Sequence, residues 1–284
     1  MKKLLLTSAT LAILGMTVPV NAKHHDQAGA EMKDTGLAAI LADARRGEDK
    51  ARDVYRHPAE TLHFFGVKPD QTVAEYAPGG GWYTRILAPY LADSGRYIAV
   101  NADSSDSSFP DRAREARTKG WPESFPDIVA KWTDIEAQKI RAFESDEIPD
   151  DIKGTVDRIL IFRSLHGMLN SNRADSELRA LREMLADDGM VGIVQHRAKK
   201  DASYAMSNGT KGYLKQASVV ALFALNGFEL VSESEVNANP EDSSDYEGGV
   251  WTLPPVLRLG ETDKAKYTAI GESDRMTLLF KKLP

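Results

Sequence analysis

The stretch Val73-Ala74-Glu75-Tyr76-Ala77-Pro78-Gly79-Gly80-Gly81-Trp82-Tyr83-Thr84 decides the fold. An apolar run leads into an acid, then three consecutive glycines, then an aromatic-rich segment that reads as a helix. Strand, glycine loop and helix in that order form the first unit of a nucleotide-type α/β sheet. Glycine has no Cβ, so the main chain turns tightly there and a ligand can lie against it. Glu75 falls where the strand should end.

The spacing separates two cofactor types. A dinucleotide loop has the pattern G-x-G-x-x-G, which presents backbone N–H groups and a helix N-terminus to a pyrophosphate. Here Gly79 and Gly81 supply the first pair, but Thr84 holds the third place, and Glu75 would repel a pyrophosphate. Both features count against a nicotinamide oxidoreductase. The pattern acid-x-Gly-x-Gly-x-Gly serves S-adenosylmethionine, whose sulfonium and ammonium groups favour a nearby carboxylate. Glu75, Gly79 and Gly81 fit it, with Ala77 at the place of the first glycine. The competing reading is a glycine turn in an ordinary βαβ unit.

Met1-Lys2-Lys3 is a basic start, Leu4 to Val20 is largely apolar, and Val20-Asn21-Ala22 matches a small-x-small cleavage pattern. Residues 1–22 therefore read as a bacterial secretory signal peptide, with the mature chain starting at Lys23 in the periplasm. Thr7, Ser8, Thr10 and Gly15 interrupt the apolar stretch, which argues against a retained membrane anchor. Loss of Lys2 and Lys3 takes the net charge from −6 to −8. An acidic chain without a basic stripe is a poor nucleic-acid binder. The absence of cysteine excludes disulfides, thiolate nucleophiles and cysteine-held metals.

Residues 23–36 read as a flexible polar lead-in, and residues 37–284 as one domain. Leu37 to Tyr55 has helical spacing, and Pro58 opens a short helix stopped by Gly66. Strands are expected at Thr72–Tyr76, Tyr97–Asn101, Ile128–Trp132, Val156–Phe162, Met190–Gln195, Phe228–Ser232 and Met276–Lys281. Helices are expected between most of them, including Asp134–Glu144, Ser176–Leu185 and Tyr213–Asn226. No helical pattern separates the last two strands, so an antiparallel pair is expected there. Alternating helices and strands predict a doubly wound, mostly parallel seven-stranded α/β sheet with an antiparallel C-terminal strand and a helical N-terminal cap.

That order resembles a class I S-adenosylmethionine-dependent methyltransferase of the Rossmann type. More narrowly, the chain is similar to a family of exported bacterial proteins described as predicted methyltransferases. The likeness is carried by His57-Pro58, Glu75 with Pro78-Gly79-Gly80-Gly81-Trp82-Tyr83-Thr84, and Leu165-His166. It continues in Ser234-Glu235, Asn237, Asn239-Pro240, Gly249-Val250-Trp251-Thr252-Leu253-Pro254-Pro255 and Gly271-Glu272-Ser273-Asp274-Arg275-Met276. The resemblance implies S-adenosylmethionine as cofactor.

The resemblance also sets expectations for the other strand ends. Such enzymes carry an acid after the second strand to grip the ribose hydroxyls; this chain has Asn101 in register and Asp103 two residues on. Asp134 reads either as the adenine contact after the third strand or as the N-cap of a following helix. At the end of the fourth strand, Arg163-Ser164-Leu165-His166 lies where open α/β sheets bind ligands. His166 is the candidate general base, against a structural histidine bonded to a neighbouring carbonyl. His196 merits the same reading at the fifth strand. Tyr83, Arg163, Asn237 and Trp251 are substrate or lid candidates, and residues 235–255 form a long inserted loop of a kind that is commonly functional. The turn holding Glu272, Asp274 and Arg275 reads as an exposed ion-paired turn. No metal site is expected.

These readings converge on an exported S-adenosylmethionine-dependent methyltransferase acting on a small-molecule or cell-envelope acceptor. The alternative is a non-catalytic periplasmic binding module that keeps a methyltransferase-like cleft.

Overall fold

A computed structural model describes residues 34–284. The signal-peptide and cleavage-site expectations, and most of the polar lead-in, lie outside the described residues. Helix α1 (Thr35–Ala42) starts within the expected lead-in, because the Asp34 carboxylate accepts from the Leu37 N–H and caps it. A 3₁₀ segment, Ala44–Arg52, leads to α2 (Asp53–Arg56) and α3 (Pro58–Phe64). The single helix expected over 37–55 is thus broken, with Gly47 at φ 46° inside it.

Next come β1 (Thr72–Tyr76), α4 (Thr84–Leu91), β2 (Arg96–Asn101), α5 (Arg112–Lys119), α6 (Trp121–Thr133) and β3 (Ile140–Glu144). The second half contains β4 (Val156–Phe162), α7 (Leu165–Asn170), α8 (Ala174–Met184), β5 (Leu185–His196) and α9 (Tyr204–Ser207). The chain ends with α10 (Gln216–Leu225), β6 (Phe228–Ser234), α11 (Lys264–Ile270) and β7 (Arg275–Lys282).

The sheet order is β3-β2-β1-β4-β5-β7-β6, and β7 alone runs antiparallel to its neighbours. This is the expected seven-stranded fold. Successive residues of a strand face opposite sides, so each strand feeds two apolar cores. Ile159 and Ile161 pack with Ala74 and Ile193 on one face; Leu160 packs with Val73, Ala99 and Leu87 on the other. The strand order reverses between β1 and β4, and in open α/β sheets the crevice at such a point binds ligands.

The third strand is a correction. Ile128–Trp132 lies inside α6, where Phe125, Val129 and Thr133 fall four apart and are all buried. Pro122 opens that helix, and Asp134 ends it in the left-handed region at φ 58°. The true third strand, Ile140–Glu144, occupies the end of the segment expected to be helical. A further helix, α11, intervenes between the last two strands without disturbing their antiparallel pairing.

Candidate functional site

A cavity of about 430 Å³ opens at the carboxyl ends of β1 and β4. One wall is the turn after β1. Ala77 at φ 50° and Gly79 at φ 57° both occupy the left-handed region, and the Ala77 N–H donates to the Val100 carbonyl at 2.7 Å. Ala77 holds a conformation that costs an L-residue energy, which is why glycine suits this place. Gly79 and Gly80 line the cavity, and a Cβ built on either meets nothing closer than 3.9 Å. Gly81 does not line it: a Cβ there would sit 2.1 Å from the Trp132 ring. The place of Gly81 in the pattern therefore reflects packing at φ 73° in this chain.

Glu75 ends β1, lines the cavity and is buried. Its Oε2 accepts hydrogen bonds from Thr84 Oγ1 and Tyr97 OH, each at 2.7 Å. Thr84, which breaks the dinucleotide pattern, thus holds Glu75 in place. Burial pushes the Glu75 carboxyl up to about 7 despite those two donors. Such an acid gains most from a cation that displaces its proton.

The floor is Tyr83 stacked on Phe162, with centroids 3.4 Å apart and planes 4° from parallel. Beside it are His166, His196 and Trp251. His166 lies in the first turn of α7, and its ring lies 5.8 Å from His196 and 6.0 Å from Trp251. The Gln195 amide nitrogen donates to the Gly212 carbonyl at 2.8 Å and lies 3.4 Å from His166 Nδ1. With the amide so oriented, Nδ1 accepts and the proton of the neutral ring sits on Nε2. His166 is then a donor in this arrangement, and accepting a proton at Nε2 would require the other tautomer. His196 Nδ1 is 2.6 Å from Ser273 Oγ, which also lines the cavity. Burial lowers the pKa of both histidines, that of His196 well below the ordinary value, so both are neutral at pH 7.

The remaining wall is cationic. Arg52 and Arg163 line the cavity, with the buried Arg56 and Arg275 close by. Glu272 binds three of them, at 2.6 Å from Arg52 Nε, 3.1 Å from Arg56 Nε and 3.2 Å from Arg275 Nη1. The Arg163 side chain forms no hydrogen bond or ion pair among the described residues, and its backbone sits at φ 58°. The turn Glu272–Arg275 was expected to be exposed; it is buried. Backbone N–H of Asp274 donates to the buried Asp242 at 2.8 Å, and the Asn239 amide donates to the carbonyls of Ile270 and Glu272. The loop thereby pins the turn from outside, a role no local sequence pattern announces.

Other expected site residues lie elsewhere. Asp134 is exposed, does not line the cavity and pairs with Arg45 at 2.9 Å; it closes α6 as its C-cap and is not the N-cap of a following helix. Asn237 is buried and donates to Thr61 Oγ1 and Thr277 Oγ1, tying the inserted loop to α3 and β7. Asn101 and Asp103 do not line the cavity. Asp103 joins Glu144 and Asp146 in a group of carboxylates whose oxygens lie within 4.8 Å of one another. Thus Glu75, Ala77, Gly79, Tyr83, Arg163, His166, His196 and Trp251 are brought together; Arg52, Glu272 and Ser273 join them unannounced.

No protein-family model matches the sequence, and no curated protein matches it. Solved structures similar to it include a SAM-dependent methyltransferase from Aquifex aeolicus, at 17% identity and TM-score 0.47 over 71% of this chain and 93% of that one. The 1,6-didemethyltoxoflavin-N1-methyltransferase of Burkholderia thailandensis, with bound 1,6-didemethyltoxoflavin and S-adenosylhomocysteine, is 14% identical at TM-score 0.44, covering 87% of each chain. A TehB-like SAM-dependent methyltransferase from Corynebacterium glutamicum is 12% identical at TM-score 0.45, covering 86% of this chain and 98% of that one. Likeness at this level says nothing of what this chain binds.

Proposed function

We propose that this chain is an S-adenosylmethionine-dependent methyltransferase, exported to the periplasm and acting on a small-molecule or cell-envelope acceptor. The observation that carries the reading is Glu75: a buried carboxyl at the end of β1, steadied by Thr84 and Tyr97, facing a cavity across a turn with open space over Gly79 and Gly80. A pyrophosphate would meet a negative charge there; an ammonium or sulfonium group would meet its counter-ion. When bound, S-adenosylmethionine supplies an electrophilic methyl group.

The residues of this chain do the rest by placement. Glu75 receives positive charge, and the Gly79–Gly80 main chain permits close approach. The Tyr83–Phe162 pair offers a flat apolar floor. The neutral His166 and His196 rings hold or accept a proton beside it. Methyl transfer is an in-line displacement, so alignment supplies most of what such a site contributes. Export is supported by the basic start, the apolar 4–20 stretch and Val20-Asn21-Ala22. Among the described residues no helix is long and apolar enough to cross a membrane.

Calorimetric titration of the purified protein with S-adenosylmethionine, S-adenosylhomocysteine and NAD tests the reading. Binding of the first two and silence for NAD is expected; the reverse refutes it. Fractionation of the native host, with N-terminal sequencing that finds Lys23 first, tests export.

A further inference from the structure

The arginine wall carries more charge than its own partners meet. Arg52, Arg56 and Arg275 share the carboxylate of Glu272, and Arg163 lies within its field without pairing to it. Among the described residues, Arg52 Nη2 and both Arg56 Nη atoms are buried without a hydrogen-bond partner. Arg163 forms no side-chain bond there. Each of these guanidiniums is planar with five donors in a fixed fork, the geometry that matches carboxylate and phosphate oxygens. Burial, with repulsion from the neighbouring arginines added, pushes Arg163 down to about 10 and Arg56 down to about 9, so the fold holds these cations at a cost. Buried donors left unpaired are costly unless a ligand meets them.

We propose that Arg163 and Arg52, backed by Arg56 and Arg275, form an anion subsite that holds a carboxylate or phosphate group of the methyl acceptor. The acceptor role rests on the methyltransferase reading above. The cluster belongs to the histidine side of the cavity. Arg163 precedes His166 by three residues, and Glu272 and Arg275 flank Ser273, whose hydroxyl meets His196. The charges of Arg163, Arg275 and Arg56 all bear on His196. An anion seated there would anchor a molecule with its reacting atom beside the two rings, within reach of the charge that Arg163 also exerts on Glu75. The same chemistry would also suit the carboxylate of the donor's methionyl group, and the two sources predict different competition.

The test uses inorganic phosphate and S-adenosylhomocysteine as probes on the full chain. Phosphate is titrated into the protein alone and into protein saturated with S-adenosylhomocysteine. Binding in both states is expected, and Arg163→Gln should weaken phosphate by ~10-fold or more while leaving S-adenosylhomocysteine affinity within about twofold. The variant should melt no lower than the parent, because it removes one cation from a crowded set. If it does not fold, Arg52→Gln is titrated instead, with the same loss expected. No phosphate binding to the parent overturns the proposal. So does competition between the two probes with a matching loss of S-adenosylhomocysteine affinity in Arg163→Gln, which would assign the arginines to the donor's carboxylate. If S-adenosylhomocysteine is silent while phosphate binds the parent and not the variant, the methyltransferase reading falls and the anion subsite stands.

Discussion

The glycine wall of the cavity is assembled within nine consecutive residues, Glu75 to Tyr83, whereas the arginine wall joins Arg52 to Glu272 across 220 positions of chain. The first is shaped by backbone: Ala77, Gly79 and Gly81 take left-handed conformations, and the turn follows from them. The second is shaped by charge, with one carboxylate binding three guanidiniums in a buried setting. A wall of the first kind tolerates an added side chain where space is open, as at Gly80, and fails where the turn packs on a neighbour, as at Gly81 against Trp132. A wall of the second kind fails on loss of its shared carboxylate, which would leave three guanidiniums buried and unpaired.

The largest effect should come from breaking the arginine wall. Glu272→Gln removes the carboxylate shared by Arg52, Arg56 and Arg275 and should cost about 3–5 kcal/mol in urea or thermal unfolding. A loss below about 1 kcal/mol would mean the cluster is solvated and the two walls are alike.

Next is the pH dependence of stability. Glu75 is raised in the folded state from 4.5 to about 7 by burial. Its favourable contribution is therefore complete below pH 4.5 and lost as pH rises through about 7, on the order of 3 kcal/mol in all. The difference in unfolding free energy between the parent and Glu75→Gln, measured from pH 5 to 8, should show that slope, because the buried His166 and His196 act with the opposite sign and alike in both proteins. Parallel curves would place the titration elsewhere.

The glycine turn should break on addition only where it packs, behind the cavity at Gly81. Gly81→Ala puts a methyl group 2.1 Å from the Trp132 ring at φ 73°, and a cost of about 1–3 kcal/mol is expected by chemical denaturation. Gly80→Ala meets no atom within 4 Å and should stay within about 0.5 kcal/mol of the parent. Equal costs at the two glycines would remove the packing distinction drawn between them.

The contrast between the walls also explains what the sequence disclosed. Glu75, Gly79 and Tyr83 were legible because a strand, a glycine turn and a helix put them at one sheet edge by local rules. His166 and His196 were legible because strand ends converge there. Arg52 and Glu272 were not, since nothing local marks two residues 220 apart as partners, and Glu272 sits in a turn whose composition suggests exposure. The third strand was misplaced because Ile128–Trp132 is apolar at either period, and only burial of Phe125, Val129 and Thr133 on one face reveals the helix. Asp134 followed that error. Asn237, expected as a substrate or lid candidate, spends its amide on Thr61 and Thr277 within the fold, because its neighbours in space come from α3 and β7 and not from its own loop.

The most direct test is S-adenosylhomocysteine affinity by calorimetry at pH 8, in the parent and in Glu75→Gln. The variant keeps a side-chain oxygen for Thr84 and Tyr97 and removes only the charge. Expected is binding to the parent, weakened ~10-fold or more in a variant that melts higher, because the buried charge is gone. Equal affinity in the two proteins, or no binding to the parent, would contradict the assignment of Glu75 and the glycine wall to the methyl donor.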